Sequence, residues 1–315
     1  MSSRVGSAMG AKPSAGTVIR VRRPTSVELM LLTTILLWSL NLSVTKYILE
    51  QGVAPLSYAT VRYLLAGVIF VVLTLAAERT LRIERRHVWV LAFAAVVLWL
   101  NQISFVLALD ATTASTIGLL IGTIPIFAAL FGLALGREQL ATRFWVAAAI
   151  SFAGVALVAV GSAGNVSGGY GGIILGLVTG ATWAAYSVAV APLMETYSPL
   201  RVSAVVIPVA WVLIALVGMP DTSSQDWDLD WKIWVLLVLA TLGPLVLTNI
   251  LWFHSLHRIG PARATLAANL QPFVAAVLAV ILLSESLSTL QVLGGVLIAA
   301  GILSARRRTA PAQAA

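Results

Sequence analysis

The sequence predicts an all-α integral membrane protein with ten transmembrane helices, arranged as two inverted five-helix repeats with both chain termini in the cytoplasm. Three observations predict it: an apolar composition, a stretch that occurs twice, and an uneven distribution of basic residues. Of the 315 residues, 59% are hydrophobic and only 10% are charged. This much apolar surface cannot be buried in one soluble core, because a soluble domain must also cover itself with polar side chains.

Ten apolar runs follow one another along the chain, and most are long enough to cross a bilayer as a helix. Backbone groups in hydrocarbon must be satisfied within the segment, so spans of this length are helical. A basic tail at 1–27 is expected to be disordered and cytoplasmic, and 306–315 form a second cytoplasmic tail. The predicted spans are 28–49, 56–77, 88–109, 112–135, 144–162, 171–191, 202–219, 232–253, 261–282 and 288–305.

The duplication is visible in residues that recur at a fixed displacement. Three of them recur 147 positions later: Pro125 as Pro272, Glu138 as Glu285, and Gly154 as Gly301. The repeats are predicted at 28–162 and 171–305, with five spans each. Because five is an odd number, the second repeat must enter the membrane upside down, as in many secondary transporters.

The basic residues fix the expected orientation. With a cytoplasmic N-terminus, 17 of the 20 lysines and arginines fall on the cytoplasmic side, leaving only Lys46, Arg62 and Lys232. By the positive-inside rule the termini are cytoplasmic, and we expect a multi-pass protein of the cytoplasmic (inner) membrane. The net charge of +8 is therefore a topology signal, and no nucleic-acid partner is predicted.

A family resemblance rests on two groups of residues. The first helix carries Trp38, Asn41 and Lys46, followed by Pro55 and Arg62, and the paired proline segments end in "GREQL" and "SESL". This pattern resembles the EamA-type branch of the drug/metabolite transporter superfamily. The resemblance implies a ten-helix inverted-repeat carrier of small metabolites, often an exporter of amino acids or related solutes. One departure is the arginine at position 137, where the family more often has glycine directly before the glutamate.

A polar stripe on the first helix suggests a cavity wall. Thr34, Trp38, Asn41 and Thr45 share one helical face, and the sixth helix echoes the first three positions with Thr179, Trp183 and Tyr186. The alternative is helix–helix hydrogen bonding without a cavity.

Mid-span prolines point to the same region. A proline frees a backbone carbonyl, and paired breaks in the two repeats indicate a transport site or, alternatively, a packing kink. Pro125 and Pro272 are the expected hinges. The predicted substrate-binding residues are Trp38, Asn41, Trp99, Gln102, Phe105, Thr123, Trp183, Tyr186, Asn249, Asn269 and Gln271.

Several charged and aromatic residues receive a structural interpretation. Lys46 and Arg62 are expected to serve structure, with Arg62 able to reach the headgroups; if they face the cavity, the substrate carries a carboxylate or phosphate. Glu138 and Glu285 are expected to be stabilised by a helix N-terminus in the turns that precede the next helix. Tryptophans near span ends are expected to anchor the protein at the membrane interface: Trp89, Trp145, Trp231, Trp234 and Trp252.

The sequence lacks the motifs of an enzyme or an ATP-driven pump, so no catalytic residue, metal or cofactor is predicted. We expect a secondary transporter that exports an amino acid or related solute by alternating access, with the lipid bilayer and a small-molecule substrate as its partners. The alternatives are a channel-like facilitator, or an importer or exchanger of an anionic metabolite such as a phosphorylated or nucleotide-linked solute. The oligomeric state is left open, and a monomer is compatible with the sequence.

Overall fold

A computed structural model describes residues 26–136, 142–162, 170–259 and 268–306, and within these ranges the regular structure is helical. Both predicted tails and Glu138 lie largely or wholly outside the described residues. The helices are α1 (Ser26–Glu50), α2 (Pro55–Glu78), α3 (Val88–Ala111), α4 (Ala114–Ile121), α5 (Ile124–Ala134), α6 (Thr142–Gly161), α7 (Gly171–Val190), α8 (Pro199–Ser224), α9 (Trp231–Thr241), α10 (Thr248–Ile259), α11 (Gln271–Leu283) and α12 (Thr289–Arg306).

Eight helical stretches in the described part of the chain are long and apolar enough to cross a membrane. Two further apolar helices, Gln271–Leu283 and Thr289–Ser304, are shorter. A multi-pass membrane protein is thus supported, while the count of ten spans stays a prediction. The eight stretches are Ser26–Glu50, Pro55–Glu78, Arg85–Ala111, Ala114–Ala134, Thr142–Gly161, Gly171–Glu195, Pro199–Ser224 and Trp231–Trp252.

Three predicted spans differ in form from the helices observed, and one of them, 232–253, contains a π-helical segment, Leu242–Leu247, between α9 and α10. The predicted span 112–135 is divided into α4 and α5, because α4 ends with Gly122 as its cap and Pro125 lies in the first turn of α5. The predicted span 202–219 lies inside the longer helix α8, which continues to Ser224. An apolar run marks only the part of a helix that contacts lipid, so it does not locate the last polar turn.

Large apolar side chains cover much of the outer surface. Leu216, Ile281 and Ile174 are 72%, 67% and 60% exposed. Contiguous exposed apolar surface of this kind is unfavourable in water and is what a bilayer requires.

The contacts between helices stay nearly the same when each helix is replaced by its counterpart in the other half. Helix α2 packs on α8 and α6 on α12, and each of these pairs joins repeat-related helices. Likewise, α1 contacts α11 as α7 contacts α4 and α5. The Ser151 hydroxyl donates to the carbonyl of Ile298 at 3.3 Å, and these two residues are themselves 147 positions apart. An approximate twofold relation between the halves accounts for these contacts.

Candidate functional site

Two neighbouring cavities in the middle of the bundle are lined by described residues of both halves. The larger has a volume of about 630 Å³ and the smaller about 130 Å³. They share wall residues from both repeats, including Trp38, Trp183, Tyr186, Asn249 and Gln271. The two spaces are therefore adjacent parts of one central site.

Aromatic rings form one wall of this site. The ring centroids of Trp38 and Trp183, residues that the repeat relates, are 6.1 Å apart in an edge-to-face arrangement. Trp252 lies 5.2 Å from Trp38, and Tyr186 lies 5.7 Å from Trp183. Such a cluster offers flat apolar surface to a ligand.

Trp252 was expected at the membrane interface, and its place in the aromatic cluster corrects that interpretation. Its position near the end of a predicted span suggested an anchor, but the ring turns inwards onto Trp38 and lines the larger cavity. The tryptophans Trp89, Trp145 and Trp231 are more than half exposed, as anchors must be.

The predicted polar residues divide between the two cavities. Asn41, Gln102 and Phe105 line the smaller one, and Asn249 and Gln271 line both. Asn249 accepts a hydrogen bond from the Ser203 hydroxyl at 3.2 Å.

Asn269 lines the larger cavity, and its buried Nδ2 has no hydrogen-bond partner among the described residues. An amide left without a partner in this position is available to a bound solute.

Two predicted site residues lie outside both cavity walls. Trp99 packs beside the main hydrophobic core, and Thr123 is fully buried, with its hydroxyl donating to the carbonyl of Leu120 at 2.7 Å.

The ends of the polar stripe on α1 also serve packing. Thr34 donates to Met30 within its own helix, and Thr45 pairs with the Tyr58 hydroxyl at 2.9 Å. Trp38 and Asn41 form the part of the stripe that reaches the cavities.

Both expected hinge prolines lie at helix starts beside the larger cavity. Pro125 is the second residue of α5 and Pro272 the second residue of α11, positions where the missing N–H leaves no helical hydrogen bond unmade. The hinge movement itself stays a prediction.

A third proline, Pro244, was missed. It lies in a wide π-helical segment, Leu242–Leu247, between α9 and α10, and it lines both cavities. The adjacent pair Gly243 and Pro244 in the middle of an apolar run was the available signal.

Arg62 is turned into the bundle and does not reach the headgroups. It is 3% exposed and lines the smaller cavity. Its Nη2 donates to Oδ1 of Asn41 at 3.0 Å and to the carbonyl of Ala240 at 3.1 Å. Snorkelling, which the sequence allows, is thus not the arrangement found. An arginine in the middle of a span raises the free energy of membrane insertion by about 2.5–3.5 kcal/mol, so its presence there indicates a specific role.

Lys46, by contrast, contributes to structure at one end of the bundle. Its Nζ donates to the carbonyl of Leu109 at 2.9 Å and lies 3.7 Å from the Glu50 carboxylate. It lies outside the walls of both cavities.

The bundle has two unlike ends. We call the end that carries Arg79, Arg82, Arg85, Arg86 and Arg201 the basic end, and the other the opposite end. The larger cavity reaches the basic end at Met194 and Glu195, and Glu195 is exposed.

Glu285 helps to close the opposite end. Its two carboxylate oxygens accept hydrogen bonds from the backbone N–H groups of Ala114 and Ser115, at 2.8 and 2.9 Å. The sequence places this glutamate in a turn before the next helix, α12, yet the helix that it caps is α4 of the other repeat. A carboxylate suits a helix N-terminus wherever the fold brings the two together.

A buried amide network reinforces the same end. Nε2 of Gln291, a fully buried residue, donates to the hydroxyls of Thr116 and Ser162, each at 3.1 Å. Gln291 belongs to α12 and its partners to the first repeat, so this network joins the two halves.

Comparison with known proteins decides the family. The EamA-like transporter family matches the chain twice, over residues 25–160 and 170–306. The chain belongs to the EamA-like transporter family. This membrane transporter is 25% identical to an uncharacterized transporter of Archaeoglobus fulgidus over 87% of this chain and 95% of that protein. It is 28% identical to the uncharacterized transporter YwfM of Bacillus subtilis, over 84% of this chain and 90% of that one.

A solved structure supports the fold of this transporter. A crystal structure described only as that of a protein superposes with a TM-score of 0.63 at 22% identity, over 90% of this chain and 99% of that one. In the described part of the transporter, no group of three or more His, Asp or Glu side chains is placed to hold a metal ion.

Proposed function

We propose that this transporter exports a small metabolite, an amino acid or a related solute, by alternating access across the cytoplasmic membrane. The observation that carries the proposal is a central cavity whose walls come from both repeats at repeat-related positions. Trp38 and Trp183 contact each other edge to face in its wall, and Pro125 and Pro272 lie beside it. A site between inverted repeats is the usual place for a substrate in secondary transporters.

The size and lining of the cavity suit a small solute with both apolar and polar parts. A volume of about 630 Å³ lies within the range of small-molecule sites, roughly 300–1,000 Å³. Trp38, Trp183 and Trp252 supply apolar surface, and Asn249 and Gln271 supply hydrogen-bonding amides. Polar groups of this kind fix the orientation of a ligand that aromatic surface holds.

The unlike ends of the bundle support alternating access. With the basic end in the cytoplasm, as the positive-inside rule requires, the larger cavity reaches the cytoplasmic side. The contacts of Glu285 and Gln291 hold the outer side together. Because the repeats are inverted, an exchange of conformation between them would close the cytoplasmic side and open the outer side.

A flux experiment tests the proposal. The purified full chain is reconstituted into proteoliposomes, and the uptake of labelled L-amino acids, one at a time, is measured with and without the same unlabelled amino acid inside. A carrier predicts uptake that saturates and is accelerated by internal substrate. Uptake that rises linearly with concentration and is not changed by internal substrate would indicate a channel-like facilitator. If the protein promotes the uptake of none of the amino acids, the assignment of substrate is overturned.

A further inference from the structure

We propose that Arg62 binds the anionic group of the transported solute, and that this group is a single carboxylate. The proposal rests on the proposed function, because it takes the central cavity to be the transport site. It adds the chemical class of the substrate and the residue that selects it.

The hydrogen bonds of Arg62 leave most of its donors free. A guanidinium has five N–H donors in a planar fork. Two hydrogen bonds from Nη2, to Asn41 and Ala240, are the only ones that the described residues accept. The buried Nε has no partner among them, and no described carboxylate forms an ion pair with the guanidinium. A buried positive charge with neither a counter-ion nor a full set of acceptors is suited to receive an anion.

A structural role explains only part of this arrangement, although the Arg62 guanidinium also lies over the Tyr58 ring, with Cζ 5.7 Å from the ring centroid. Pro244 has no N–H, so it cannot form the usual helical hydrogen bond with the carbonyl of Ala240, four residues earlier. Arg62 donates to that carbonyl at 3.1 Å. One donor is thereby explained, while the Nε group and the position at the cavity wall are not. A neutral donor would have served the carbonyl without the cost of burying a charge.

The second repeat shows that helix packing at this position does not need a cation. Pro55 recurs as Pro199, 144 positions later, and the same displacement pairs Arg62 with Val206. Val206 is completely buried in α8, which packs against α2. The fold accepts an apolar side chain at the equivalent place, so the arginine belongs to a feature that only one repeat carries. A bound solute that is itself asymmetric requires such a feature.

The charge of the site favours a carboxylate over a phosphate. Arg62 is the only lysine, arginine or histidine among the described residues that line the two cavities. A phosphate monoester carries about −1.5 to −2 charges at neutral pH, whereas a carboxylate carries a single charge, which one guanidinium balances. Glu195, at the edge of the larger cavity, adds a negative charge that would disfavour a dianion further.

The two volumes divide the solute in a defined way. The smaller cavity, about 130 Å³, has the volume of roughly four waters at about 30 Å³ each, which is enough for a carboxylate and the few atoms next to it. The remainder of the solute would then lie in the larger cavity against Trp38 and Trp183, which line both spaces. Asn41, which accepts from Arg62, fixes the direction of the guanidinium.

Ligand binding to the full chain in lipid nanodiscs tests the proposal. The common L-amino acids are screened by thermal shift, and each one that binds is compared in equilibrium binding with its methyl ester and with O-phosphoethanolamine, which has an amine and a phosphate but no carboxylate. We expect at least one amino acid to bind and its ester to bind at least about 30-fold more weakly, because the ester cannot pair with the guanidinium. We also expect O-phosphoethanolamine to bind more weakly than the amino acid.

Variants assign the effect to Arg62. Arg62→Gln should weaken binding of the amino acid at least about 30-fold and remove the preference over the ester, while Arg62→Lys should keep part of both. Lys46→Gln is the matched control, since it also removes one basic residue from a span but lies outside the cavities, and its affinity should stay within about twofold of the unmodified protein. If Arg62→Gln does not fold, the comparison of acid with ester in the unmodified protein still decides.

The proposal is overturned if the ester binds as well as the acid, if a phosphorylated solute binds best, or if Arg62→Gln leaves affinity unchanged. It is also overturned if no amino acid binds at about 10 mM, where even weak ligands shift stability. A saturable flux of a neutral solute that is unchanged in Arg62→Gln would reject this inference and leave the proposed transport by a carrier intact. A flux that does not saturate would reject the proposed transport itself.

Discussion

Replacing Glu285 by alanine should loosen the contact that joins the two repeats at the opposite end. The carboxylate accepts from the N–H groups of Ala114 and Ser115 at 2.8 and 2.9 Å, and charge-assisted hydrogen bonds are worth about 1.5–3 kcal/mol each. Glu285 is only half-buried, so water replaces part of what is lost. We therefore expect Glu285→Ala to lower the free energy of unfolding by about 2 kcal/mol, and Glu285→Gln, which keeps one acceptor oxygen, by about 1 kcal/mol.

Equilibrium unfolding of the full chain in mixed micelles, with increasing SDS and tryptophan fluorescence as the signal, measures these values. Glu50→Ala is the matched control. Glu50 lies at the same end, is about half exposed and forms only a 3.7 Å ion pair with Lys46. Exposed pairs of this type contribute less than about 0.5 kcal/mol. If Glu285→Ala and Glu50→Ala destabilise the protein equally, Glu285 does not hold the repeats together.

Three further substitutions probe packing, the buried network and the cavity. A methyl group added at Gly154 would lie 2.6 Å from a backbone carbonyl oxygen of α12, so Gly154→Ala should lower the free energy of unfolding by about 1–3 kcal/mol in the same assay. At Gly171 an added methyl group would meet no described atom within 4 Å beyond its chain neighbours and its own helix, so Gly171→Ala should leave the stability unchanged. Gln291→Leu leaves two hydroxyls without their buried donor and should cost about 2 kcal/mol; a value near zero would mean that the network is not needed. In the flux assay, Trp38→Ala should reduce saturable uptake at least about tenfold by removing cavity wall, while Trp89→Ala, 82% exposed, should not; equal effects would contradict the placement of the site.

The broad architecture could be predicted because it follows from local composition and from duplication. Apolar runs with few charges define the helical stretches, and the displacement of 147 positions relates residues such as Ser151 and Ile298, which meet across the two halves. The aromatic wall followed from the same logic. Trp38 and Trp183 are unusual in mid-span, and their recurrence predicts the shared environment in which their rings meet.

The features that the sequence did not predict depend on which side of a helix faces a distant partner. Whether Arg62 points to lipid headgroups or into the bundle is decided by Asn41 and Ala240, which come from two other helices. Trp252 has an interfacial position along its helix, but its rotation about the helix axis places it in the cavity. Glu285 caps a helix 171 positions away in sequence. Periodicity along one helix contains none of these relations.

Single-cysteine labelling tests the inverted repeat most directly, and the chain is suited to it because it contains no cysteine. Glu84 and Asp228 are both exposed and are related by the displacement of 144 that also relates Pro55 to Pro199. With a membrane-impermeant maleimide on intact cells, Asp228→Cys should be labelled directly, and Glu84→Cys only after the membrane is permeabilised. Labelling of both positions from the same side would contradict the two inverted repeats and, with them, the transport cycle proposed for the cavity between them.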